Sequence, residues 1–172
     1  TSILFPPYFF IPLGFVLFPF LCFLYDEKFK NYSKLKLFNS TLIYFFGFYL
    51  SFLFWIKEPF LTLDETENIF FISILLIILL SLISSFVVLI FIFFLRDLHG
   101  FFAIPLLFTI IEFTISKIAY GFPWITFSLI ITSNDILLPI IKNYGTLITS
   151  LLTIQIFCIP YLYIIPKNRS NI

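Results

Sequence analysis

From Ile69 to Leu95 the chain carries no charged side chain, and almost every residue is Phe, Ile, Leu or Val. That run exceeds the roughly 20 apolar residues needed to cross a hydrocarbon core of about 30 Å, so it predicts a transmembrane helix. The rest of the chain agrees. Apolar side chains make up 61% of it and charged ones 11%, with a mean hydropathy of +1.12. A soluble domain has about 45–50% and about 25%. The net charge of +1 excludes nucleic-acid binding, which needs clustered Lys and Arg. Phe is abundant, but Phe, Ile, Asn, Lys and Tyr share AT-rich codons, so codon bias suffices and no aromatic ligand box is read.

Four further runs are apolar enough to cross. The first, 3–25, is broken by Pro6, Pro7, Pro12 and Pro19, which predicts a kinked or divided span. The others are 38–56, 101–120 and 145–165, with 69–95 between them. The segment 122–143 is interrupted by Pro123, Asn134, Asp135, Pro139 and Lys142, and is read as interfacial. The expected fold is therefore all-α, a polytopic transmembrane helical bundle of about five spans in a single integral membrane domain.

Charge orients the bundle. Lys28, Lys30, Lys34 and Lys36 fill the loop 26–36, whereas the loop 57–68 holds Glu58, Asp64, Glu65 and Glu67 against Lys57. Arg96 follows the third span, and Lys167 and Arg169 follow the last. Positive charge marks the cytoplasmic side, which places the Lys-rich loop, Arg96 and the C-terminal tail there. Thr1 then falls outside, with no signal peptide ahead of it. One more helix before Thr1 is the expected remedy, so the chain reads as a fragment.

Side-chain chemistry is sparse. Cys22 and Cys158 lie in apolar runs without metal-ligand spacing and read as small buried hydrophobes. His99 sits in the turn Arg96-Asp97-Leu98-His99-Gly100 and reads as solvated. No metal, cofactor or catalytic residue is expected. Ser81, Ser84 and Ser85 read as helix-packing positions. Glu112 stands apart, because an ionisable group inside a span is costly and implies either a function or a hidden hydrogen-bonding partner. Lys117, five residues on, points to another face of the helix. Both readings of Glu112 stay open. Ser133-Asn134-Asp135 before Ile136 reads as a helix N-cap.

The order of these parts carries more than any one of them. Glu112 is followed by Gly121-Phe122-Pro123-Trp124, then by a broken apolar stretch, then by Tyr144-Gly145 and a span. This order resembles the membrane domain of the apolipoprotein N-acyltransferases, which carry Glu-Trp-x-Arg, Gly-Phe-Pro-Trp and Tyr-Gly at similar distances. Phe5-Pro6-Pro7-Tyr8-Phe9, Phe18-Pro19-Phe20-Leu21 and Trp55-Ile56 agree more loosely. Phe113 and Ile115 stand where the family has Trp and Arg, and Lys142 where it commonly has Gly.

The resemblance implies a bacterial inner-membrane protein whose family transfers an acyl group from phospholipid to the α-amino group of a diacylglyceryl-cysteine lipoprotein. In that family a nitrilase-like domain carries a Glu–Lys–Cys triad, and the 172 residues hold no counterpart of it. The expectation is a membrane-domain fragment, inactive alone, in which Glu112, Gly121, Phe122, Pro123, Trp124, Tyr144 and Gly145 line a lipid vestibule. Its partners would be phospholipid, a lipoprotein substrate or a separately encoded catalytic domain. The alternatives are a non-catalytic scaffold or lipid-binding subunit, and a decayed remnant. A transporter is disfavoured, since no paired half-helices appear.

Overall fold

The computed structural model describes residues 10–29, 31–57, 70–118, 126–133 and 138–164. Among these every regular element is helical. The α-helices are α1 (Gly14–Leu24), α2 (Lys34–Phe52), α3 (Phe70–Phe94), α4 (Gly100–Ile118), α5 (Leu138–Cys158) and the short α6 (Tyr161–Ile164). Single 3-10 stretches cover Ile11–Leu13, Leu53–Lys57 and Phe127–Ser133, and a π-turn covers Tyr25–Phe29. Phe5 to Phe9, the acidic loop 58–68, Asn134, Asp135 and the basic tail lie outside the described residues.

Among the described residues three stretches are long and apolar enough to cross a membrane: Phe70–Phe94, Gly100–Lys117 and Leu138–Ile164. The chain is thus an integral membrane protein. In the first apolar run the described helix is shorter, starting at Gly14 behind a turn that contains Pro12. In the second, α2 begins at Lys34 rather than at Phe38, where charge-free sequence starts. The reason is local, because the Ser33 side chain accepts from the Lys36 N–H at 3.4 Å and so sets the helix start. Hydropathy does not sense such a cap.

The fold divides into two compact units, with breaks after Tyr32 and after Ile90. The smaller unit, 33–90, holds α2 and most of α3. Phe38 of α2 meets Phe86 of α3 with ring centroids 6.4 Å apart. Ser81 and Ser85 are fully buried, and their hydroxyls donate to the Ile77 and Ser81 carbonyls at 2.7 and 2.6 Å. Returning a hydroxyl to its own helix satisfies it where no water is available. These serines therefore serve packing.

The larger unit joins the chain up to Tyr32 with everything from Phe91 onward. Its centre is aromatic. Phe18 of α1 stacks on Phe157 of α5 at 5.6 Å and meets Phe108 and Phe127 edge-on at 5.8 and 5.9 Å. Gly14 makes room for this, since a Cβ there would fall 2.8 Å from the Phe157 ring.

α4 carries Pro105 in its interior, where proline cannot donate to the carbonyl four residues back. That carbonyl, of Phe101, accepts from Gln155 Nε2 of α5 at 3.1 Å. A neighbouring helix thereby satisfies the group that proline frees, as the absence of water requires.

Candidate functional site

Glu112 lies twelve residues along α4 from Gly100, about 18 Å at 1.5 Å per residue. It is 4% exposed. Among the described residues its partners are uncharged groups. Carboxylate Oε2 accepts from the Phe127 N–H at 3.3 Å, and the Ser150 side chain of α5 hydrogen-bonds the same carboxyl. Ser150 Oγ in turn accepts from the Ser128 N–H at 2.9 Å. The first N–H groups of a helical stretch have no intrahelical acceptor, so Glu112 and Ser150 together cap the stretch Phe127–Ser133.

Ser150 differs in this from its neighbours, for Thr149 and Thr153 return their hydroxyls to the Gly145 and Thr149 carbonyls. Lys117 is occupied elsewhere, with Nζ 5.5 Å from the Phe113 ring centroid. Thr126, Phe127, Ser128 and Ile130 are all buried. The middle of the segment read as interfacial is therefore packed inside its unit, because its backbone donors find acceptors on α4 and α5.

Of the residues singled out in the sequence, Gly121, Phe122, Pro123 and Trp124 lie outside the described residues. The described chain resumes at Thr126 and enters the stretch that Glu112 holds. The acid thus holds the segment that follows the Gly-Phe-Pro-Trp motif in sequence. Tyr144 is 61% exposed. Gly145 has φ 78° and ψ 169°, a backbone region essentially reserved for glycine, and it kinks α5 at that point.

A second polar cluster, which the sequence reading missed, closes the other end of the same unit. Asp26 follows α1, and both of its oxygens accept from the Gly100 N–H at 3.0 and 2.9 Å. Tyr161 of α6 donates its hydroxyl to Asp26 Oδ2 at 2.6 Å, and His99 Nε2 lies 3.6 Å from the same oxygen. His99 is exposed, as read, and its Nδ1 accepts from the Phe101 N–H at 3.3 Å.

Asp26 caps α4 and meets its positive end. Gly100 is obligatory here, since a Cβ would stand 2.7 Å from the Cys22 carbonyl oxygen and 2.9 Å from Asp26 Oδ2. The pairing spans 74 residues, and no local motif announces it. One turn further in, Cys22 and Cys158 are free, fully buried and in contact, with Sγ atoms 3.4 Å apart.

Residues 1–159 match the model of the apolipoprotein N-acyltransferase N-terminal domain. The chain belongs to that family. No curated protein and no solved structure matches it. Within this N-acyltransferase domain the described residues bring Glu112 onto the segment after the Gly-Phe-Pro-Trp motif and place the Tyr144-Gly145 pair at the kink of α5.

Proposed function

We propose that these residues form the membrane part of an apolipoprotein N-acyltransferase, a helical bundle that opens sideways to the bilayer. It guides phospholipid and a diacylglyceryl-cysteine lipoprotein toward a catalytic centre built from residues other than these. The family match over 1–159 carries this reading. In it, Phe122, Trp124 and Tyr144 line the outer mouth, while Glu112, held by Phe127 and Ser150, fixes the segment behind that mouth. The protein resides in a bacterial inner membrane with the Lys-rich loop 26–36 in the cytoplasm.

Two measurements test this. Membranes containing the 172-residue chain, given phospholipid and a synthetic diacylglyceryl-cysteine peptide, are expected to form no N-acylated product. Product would refute the assignment of chemistry to other residues. A phospholipid with a photoactivatable acyl chain is expected to label the chain, and Trp124→Ala and Tyr144→Ala to reduce that labelling. Unchanged labelling in both variants would remove the vestibule.

A further inference from the structure

Along α1 and the turn after it, Gly14, Phe18, Cys22 and Asp26 recur every four residues and so share one face. Each meets the C-terminal part of the chain. Gly14 and Phe18 pack on Phe157, Cys22 touches Cys158, and Asp26 accepts from Tyr161. Both series ascend together, so the two helices run parallel and the thiol pair is one rung of a ladder.

The rungs on either side hold it in register. The Phe18–Phe157 stack lies toward the aromatic centre, and the Asp26–Tyr161 bond toward the end of the unit. That end is thin. Beyond Tyr161, α6 has only Leu162, Tyr163 and Ile164, which are 48%, 87% and 59% exposed.

We propose that Cys22 and Cys158 form a two-thiol modification site for hydroperoxides, which closes to a disulfide joining α1 to α5, with the Asp26–Tyr161 bond as its gate. While the bond holds, both thiols are sealed in apolar surroundings and inert. When it opens locally, α6 lifts and one sulfur becomes reachable.

The chemistry then takes two steps. Sulfur attacks the terminal oxygen of the hydroperoxide and the O–O bond breaks. The thiol proton passes to the departing alkoxide, giving a sulfenic acid and an alcohol. The second thiol attacks the sulfenic sulfur, the S–S bond forms, the S–O bond breaks and water leaves. Two thiols are oxidised by two electrons and one hydroperoxide is reduced, with no further reagent. The pair supplies both the attacking and the resolving sulfur, and the partners lie 136 residues apart in sequence. One bond therefore ties the first described helix to the last long one.

The test uses the purified 172-residue chain in phospholipid nanodiscs, with hydrogen peroxide as the probe. After treatment the protein is unfolded, its free thiols are alkylated and its intact mass is read. The expected product is a monomer lighter by two hydrogens that takes up no alkylating reagent. Cys22→Ser should abolish that product. Tyr161→Phe, which removes the gating hydroxyl, should speed its formation about tenfold, as expected for loss of a hydrogen bond to a charged group.

Thiols that remain fully alkylated would overturn the site. So would oxidation that stops as sulfinic or sulfonic acid on one cysteine. A wild-type disulfide whose rate is unchanged in Tyr161→Phe would overturn the gate. The wild-type measurement stands alone should that variant fail to fold.

Discussion

Removing the Glu112 carboxyl takes from the Phe127 N–H the acceptor it uses in this buried segment, and from Ser150 its neighbour on α4. Losing a buried hydrogen bond together with its acceptor costs about 1–3 kcal/mol, so Glu112→Leu is expected to lower stability by that amount. Glu112→Gln keeps an acceptor oxygen in place and is expected to cost less than half as much. Thermal unfolding in detergent, followed by circular dichroism, separates the two. Equal losses would mean that the negative charge itself, rather than the acceptor, holds the segment. Gly145 is the second position where one residue decides a local geometry. With φ at 78° and ψ at 169°, Gly145→Ala forces a side chain into a region only glycine occupies comfortably. The expected cost is about 1–3 kcal/mol, or loss of the kink, in the same melting experiment.

At the scale of elements, Pro105 and Gln155 form a testable pair. Gln155→Leu strands the Phe101 carbonyl and is expected to destabilise by about 1–2 kcal/mol. In a Pro105→Ala background the alanine N–H takes that carbonyl, so the same substitution should cost little. A double-mutant cycle is expected to give a coupling of about 1 kcal/mol, and additive effects would remove the proposed compensation. The pair also marks what the sequence can and cannot reveal about elements. The charge-free run 69–95 announces α3 because hydrophobicity alone decides it. Pro105 announces a broken hydrogen bond, but not that Gln155 repairs it. The Glu112 anomaly was legible because burial of an acid is costly anywhere in a span. Its partners were not, since a backbone N–H looks the same at every residue. Asp26 was less legible still, since nothing in the loop 26–36 sets it apart. Its role depends on Gly100 and Tyr161, 74 and 135 residues away.

At the scale of the molecule, the contacts within the larger unit fix which helix ends lie together. Gly100 at the start of α4 and Tyr161 at the start of α6 both meet Asp26 just after α1, so these three points share one end. Tyr144 lies seventeen residues before Tyr161, about 25 Å at a helical rise, which is close to the thickness of a hydrocarbon core. Lys28, beside Asp26, and Tyr144 therefore belong at opposite ends of this unit. Which end faces the cytoplasm is a separate matter, on which the charge pattern makes a prediction. Lys28 and Arg96 both flank the Asp26 end of this unit, so the proposed orientation has that end facing the cytoplasm. Cysteine labelling tests this cleanly, because Cys22 and Cys158 are fully buried and give little background. In right-side-out vesicles an impermeant maleimide is expected to label Tyr144→Cys at once, and Lys28→Cys only after permeabilisation. The reverse pattern would invert the orientation and leave the helix arrangement intact. Labelling of both before permeabilisation would mean that Asp26 and Tyr144 are not separated by the bilayer, and the span assigned to the last helix would fall.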